Sequence, residues 1–351
     1  MSDADNLTLS PYYLNTRRLS EITGVEIPII AQRSLNENSG ERAQAMRFAS
    51  GIARELLKSG SIPSLIRAFA ASDTEDTPFV ASLWAVFTFR DVAGALAGER
   101  KGKTKKPGTF TANMQLGDTE FEIAGELSND HLYSETAPGI LSKRRRMLVV
   151  GRFELRDKVF EAQPYIIGDM VKDLGSGMQM SWSQSVRAYP EIISTFTKMK
   201  DVNASTATDL KTLLDTPEDD VKHAFATIIG EPFVPKDWGG EKSDLQTSRV
   251  RIDDRPVSAA FIFKGPAVKG EMHPNNMGKR GDQLVRAFDE PVDLVVVQHC
   301  NKIANSVVRI AEALAVDPKR PRRYCIIDGE DTVRILKAYG LFPPPGAPSA
   351  P

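Results

Sequence analysis

Side chains able to do chemistry are few in this sequence, and the one whose setting most needs explaining is Lys264. It ends the apolar run Ala259-Ala260-Phe261-Ile262-Phe263. Burying an unpaired ammonium is costly, and lysines at strand ends ordinarily keep their charge in water, so Lys264 is either a site residue or a snorkelling strand end. Gln283, one residue into a helical pattern, carries an amide that can hydrogen-bond a phosphate or a bound water, and is otherwise an exposed helix glutamine. His299 closes a second apolar run beside Gln298, without an Asp, Glu or further His at ligand spacing, and reads as the polar end of a strand. Asp328, followed by Gly329 and two acids, reads as a helix N-cap. Cys300 and Cys325 lie in apolar runs as small buried thiols, which excludes a disulfide framework and a cysteine zinc site.

Charge is the second source of chemistry. The chain has 351 residues and a formal net charge of −1, so it is no bulk coater of nucleic acid, and polyanion binding would have to come from local patches. Three basic runs stand out: residues 100–106 (RKGKTKK, with Lys101, Lys103, Lys105 and Lys106), residues 143–146 (KRRR, with Arg144, Arg145 and Arg146) and residues 319–323 (KRPRR). Each is either a solvated loop or a phosphate-binding patch. A hydrophobic content of 41% and a charged content of 26% fit a globular chain large enough for two domains. No apolar stretch is long enough for a membrane-spanning helix and the N-terminus is polar and acidic, so the expected setting is cytoplasmic, away from membranes. The phosphate loop GxxxxGK[ST], the HExxH zinc helix, the GxSxG elbow and a strand-borne GxGxxG are all missing.

The elements that must position these residues follow from periodicity. Apolar spacings of three and four predict helices over residues 41–59, 62–71 and 79–96, with a possible strand at 25–31 before them and an exposed basic loop at 97–108 after them. Runs rich in β-branched and aromatic residues predict strands over 109–116, 120–124, 147–155 and 158–167, a small sheet or barrel whose turns would present residues 143–146. Residues 174–184 read as a connector and 189–214 as helical with a break near Asn203, placing the domain boundary at 204–216. From Thr216 a capped helix, a charged loop over 232–244, and strands at 257–263, 293–300 and 324–327 alternate with helices at 281–288, 302–315 and 329–339. The fold class is therefore mixed α/β: an N-terminal α+β domain over 1–205, an α/β core over 216–342, and a Pro-rich tail over 343–351 expected to be disordered.

That order, helix, acidic loop, strand ending in lysine, helix, strand, helix, resembles the PD-(D/E)xK nucleases. The stretch 323–340 (RYCIIDGEDTVRILKAYG) resembles the end of Mrr-type restriction endonucleases. The resemblance implies a restriction-endonuclease-like core in which carboxylates bind Mg²⁺ or Mn²⁺ and a lysine orients or deprotonates the attacking water. Carried over, the lysine is Lys264 and the metal-binding aspartate is Asp244, twenty residues earlier and joined to it by two strands and a polar turn at 253–256. Ile262 stands where the family has the second acid, so that acid must come from another element: Glu241 first, with Glu231 and Asp282 as alternatives. Gln283 resembles the glutamine that some of these nucleases place behind the lysine.

The implied function is metal-dependent hydrolysis of nucleic-acid phosphodiesters, with DNA the expected substrate, in restriction or phage defence. The N-terminal domain would serve recognition or regulation, and a homodimer would pair two active sites. A nuclease fold that has lost the reaction and acts as a nucleic-acid-binding or scaffold subunit is the alternative, and an α/β core serving unrelated small-molecule or protein binding is a third.

Overall fold

The computed structural model describes residues 7–29, 40–71, 77–103, 106–174, 179–182, 185–235, 242–278 and 282–344. The chain divides into two compact units, residues 1–184 with 316–321, and residues 185–315 with 322–351. The division falls before the expected boundary at 204–216, because Ala188, Ile193, Phe196 and Met199 are already packed into the core of the second unit.

The first unit contains β1 (Leu7–Leu14), α1 (Thr16–Thr23), α2 (Gly40–Ser59), α3 (Leu65–Ala71), β2 (Phe79–Arg90), α4 (Val92–Glu99), β3 (Gly108–Leu116), β4 (Thr119–Leu127), α5 (Ala137–Ile140), β5 (Lys143–Arg156), β6 (Val159–Asp173) and β7 (Gln179–Ser181). β2, β3 and β4 form an antiparallel meander, β4 pairs in parallel with β6, and β5 pairs antiparallel with both β6 and β2. That ring of pairings closes a five-stranded barrel, the sheet-or-barrel expectation in its closed form, and closure leaves no open edge around the ring. β1 and β7 attach to the second half of β6. The interior is aromatic, with Phe87 and Phe110 edge to face at 5.7 Å.

Two expectations for this unit are corrected. Residues 79–96 are not one helix: the first twelve form β2 and only Val92–Glu99 is helical. Val80, Val86, Thr88 and four aromatic residues suit a pleated surface better than a helix, and pairing on both edges of β2 decides the matter. Residues 25–29 form no strand, and the rest of that expected strand lies outside the described residues.

The second unit contains α6 (Ala207–Leu214), α7 (Glu218–Ile229), β8 (Leu245–Ile252), β9 (Arg255–Lys264), α8 (Asp282–Asp289), β10 (Leu294–His299), α9 (Asn305–Ala315), β11 (Arg323–Ile327) and α10 (Gly329–Ala338). Residues 189–214 are only partly α-helical, since Pro190–Ile192 and Ser194–Asp201 form 3₁₀ turns ahead of α6. The sheet order is β11-β10-β9-β8, with β8 and β9 an antiparallel hairpin and β9, β10 and β11 parallel. Asp253 and Asp254 turn the hairpin at positive φ (49° and 58°), as a two-residue turn matched to strand twist requires. Alternation along β9 sends Phe261 and Phe263 to one face, where their stacked rings meet Phe225 of α7.

Asp331, in the first turn of α10, is pushed up to about 7 by burial, with Asp328 and Glu191 adding to the shift. Its proton is held more tightly in the folded than in the unfolded chain. The associated stability is therefore present below about pH 4 and lost as pH rises through about 7. Asp331→Asn is expected to flatten the decline in stability across this window in urea unfolding curves of the two proteins at matched pH; parallel curves would remove Asp331 as the cause.

Candidate active site

The end of β9 is where the side chains of interest meet. Asp244, 7% exposed, immediately precedes β8. Its backbone N–H donates to the Phe261 carbonyl at 2.9 Å, and its Oδ2 accepts the Phe263 N–H at 2.7 Å. The carboxylate thus clasps the end of the neighbouring strand one residue before Lys264. Gln283, in the first turn of α8, brings its Nε2 to 3.5 Å from Asp244 Oδ1 and anchors its own N–H on the Met277 carbonyl at 3.0 Å. Three of the four residues expected at the site, Asp244, Lys264 and Gln283, are therefore brought to one strand end. The fourth, Glu241, lies outside the described residues.

The β10 side of the same strand end is fixed by His299, which is fully buried. Its Nδ1 lies 2.9 Å from the Lys264 carbonyl and its Nε2 3.0 Å from the Gly270 carbonyl, while Cys300 N–H donates to the Lys264 carbonyl at 3.1 Å. His299 is a strut between β10, β9 and the following loop, in keeping with the polar strand-end reading. Asp328 caps α10 by accepting the Asp331 N–H at 3.0 Å.

Ile262, where the resemblance would place an acid, is fully buried. Of the alternative acids, Glu231 accepts from Thr247 Oγ1 at 2.8 Å. Thr247 pairs with Ala259, five residues and roughly 16 Å along β9 from Lys264. Asp282 is engaged in an ion pair with Arg286 one turn later. Glu231 is thereby held away from the strand end, whereas Asp282 directly precedes Gln283 in α8.

A different acid is there. Glu218, the first residue of α7, accepts the Gly265 N–H on its Oε2 at 2.6 Å. Backbone amides two residues apart on a strand face the same edge, so Asp244 and Glu218 bracket Lys264 along one edge of β9, on amides about 7 Å apart. The sequence presents Glu218 only as one of three acids suited to a helix N-terminus. What marks it is Gly265, where an added Cβ would lie 2.7 Å from Glu218 Cβ. Lys222, one turn further along α7 and therefore on the same helix face, is fully buried and was equally inconspicuous in the sequence.

Among the described residues no group of three or more His, Cys, Asp or Glu is arranged to hold a metal ion. Mg²⁺ at phosphate-processing sites takes only one or two protein carboxylates and completes its shell with water and substrate oxygens, so Asp244 and Glu218 are a fitting donor pair.

The basic runs at 100–106 and 143–146 lie in the first unit, while Arg322 and Arg323 of the third belong to the second. Lys101, Lys103 and Lys106 are exposed after α4, and Lys105 lies outside the described residues. Arg144, Arg145 and Arg146 are exposed, but on the first residues of β5 paired to β2 rather than in a turn. A cavity of about 1070 Å³ in the first unit is lined by five acids, among them Glu99 and Glu126, against Arg18, Lys103 and Arg152, a balance that disfavours phosphate in the cavity itself.

Gly265→Ala is expected to force Glu218 and the start of α7 away from β9, lowering stability by about 1–3 kcal/mol. Urea unfolding midpoints check this, with Glu218→Gln, which keeps an acceptor oxygen, expected to cost less. No family model, no curated protein and no solved structure matches this chain, so its chemistry is read from these residues alone.

Proposed function

We propose that the second unit is a metal-dependent nuclease that hydrolyses nucleic-acid phosphodiesters, with DNA as the substrate. The observation that carries this reading is that Asp244 and Glu218, from separate segments, accept the backbone amides on either side of Lys264 at the end of β9, with Gln283 reaching Asp244. Asp244 and Glu218 would hold a Mg²⁺ or Mn²⁺ ion, which supplies charge stabilisation at the phosphate and a more acidic water. Lys264 orients that water and balances charge developing on the phosphate, and the Gln283 amide donates to a phosphate oxygen or to the water. The hydrogen bonds already made by Asp244 and Glu218 fix their orientation ahead of substrate. Glu218 thereby takes the part that Ile262 leaves vacant.

A second reading is favoured by Ile262 itself: a buried isoleucine where an acid is expected fits a nuclease fold that binds nucleic acid without cutting it. Metal affinity separates the two, because only the catalytic reading needs an ion.

The test is cleavage of supercoiled plasmid, linear DNA and RNA with Mg²⁺ or Mn²⁺. The wild type is expected to nick or linearise plasmid, Asp244→Ala and Lys264→Ala to lose activity by on the order of a hundred-fold or more, and Glu218→Gln to lose activity while retaining the fold. Absence of cleavage on every substrate, with no metal binding by calorimetry, would transfer the assignment to the non-catalytic reading.

A further inference from the structure

The barrel of the first unit brings together two basic runs that lie forty residues apart in sequence. Arg90, the last residue of β2, pairs with Thr109 of β3, and the preceding Phe89 pairs with Lys143, the first residue of β5. The connection that carries Lys101, Lys103 and Lys106 therefore leaves the same barrel end at which Lys143, Arg144, Arg145 and Arg146 begin β5. Neither residues 100–108 nor residues 141–152 contain an acidic side chain. Asp91, Glu99 and Glu126 lie at the same end and Glu135 is ion-paired with Arg100 at 3.5 Å, but the basic side chains outnumber these acids, so in a chain with a net charge of −1 this end carries a local excess of positive charge.

The shape of the strand reinforces the point. Residues 143–146 are all exposed, whereas the next four residues of β5 are buried, so the basic segment extends beyond the barrel core. It pairs with β2 on one edge, while pairing of β5 with β6 starts only at Leu148. Four residues of strand span about 10 Å, along which duplex DNA presents roughly six phosphates. The aromatic residues of this end, Phe87, Phe89 and Phe110, are buried at 3% exposure or less, so they offer no platform on which unpaired bases could stack.

We propose that this end of the barrel docks the phosphate backbone of double-stranded nucleic acid, without reading its sequence. The surface shares its partner class with the nuclease reading but not its reaction, so either can fail alone. Positive charge without exposed aromatics favours a duplex over a single strand, because single-strand binding draws much of its affinity from stacking.

The experiment is binding of a labelled duplex to the full chain in EDTA across a series of salt concentrations. Lys143→Gln/Arg145→Gln, two residues on one face of β5, is expected to weaken binding on all sequences alike and to reduce the slope of log affinity against log salt by about 2. Lys319→Gln/Arg320→Gln, which removes two of the four charges of the third basic run, is expected to leave the slope unchanged. Thermal melts check that each variant is folded, as substitutions at exposed positions should leave it. An unchanged slope in Lys143→Gln/Arg145→Gln, an equal loss in the control pair, preference for single-stranded DNA, or binding to phosphatidylserine vesicles in place of duplex would each overturn the proposal. Intact plasmid cleavage with an unchanged slope would overturn this surface and leave the nuclease reading standing, while duplex binding with the expected slope and no cleavage would do the reverse.

Discussion

The organisation of the second unit depends on one buried carboxylate accepting one backbone amide. Asp244 is almost inaccessible to water, and a carboxylate so placed is tolerable only when hydrogen bonds replace its hydration. The Phe263 N–H does this, and a hydrogen bond to a charged group is worth about 1.5–3 kcal/mol net. The bond also defines geometry. It joins the residue before β8 to the penultimate residue of β9, so the hairpin ends in a fixed register and Lys264 emerges where that pairing stops.

The other contacts at this strand end complete a frame around the lysine. Glu218 holds the Gly265 N–H beyond it, and His299 and Cys300 meet the Lys264 carbonyl from the β10 side. The stacked Phe261 and Phe263 rings lie on the opposite face of β9 from Ile262 and Lys264, against α7, and seat the helix whose first residue is Glu218. These contacts fix the backbone on both sides of Lys264, and under the proposed function that would leave little reorganisation for the moment of reaction. Gly265 is the small residue that makes the arrangement possible, since any side chain there would occupy the space taken by Glu218.

In the first unit, closure of the barrel does for charge what the hairpin does for the acids. β2 has β3 on one edge and β5 on the other, so whatever follows β2 and whatever precedes β5 must share one end. The basic runs occupy those two places. Like charges brought together oppose folding slightly, but at exposed positions salt screens the repulsion beyond about 10 Å.

The sequence by itself determined the mixed α/β class, most elements of the second unit, the N-cap at Asp328, and the placement of Lys264 at a strand end, because these rest on local periodicity and on the cost of burying charge. Asp244 and Gln283, singled out through a resemblance in the order of elements, come within 3.5 Å of each other in the fold. The sequence misread residues 79–96, where apolar residues are dense enough to fit either period and only pairing with β3 and β5 imposes a strand. It set the domain boundary too late, because the turns over residues 190–201 bury side chains in a core whose strands come later in the chain. Tertiary structure alone decided that Glu218 accepts the Gly265 N–H, and that two distant basic runs share one barrel end. A carboxylate at a helix start looks the same in sequence whether it merely offsets the helix dipole or reaches a neighbouring strand. The difference lies in which backbone amide the fold leaves within 3 Å of it.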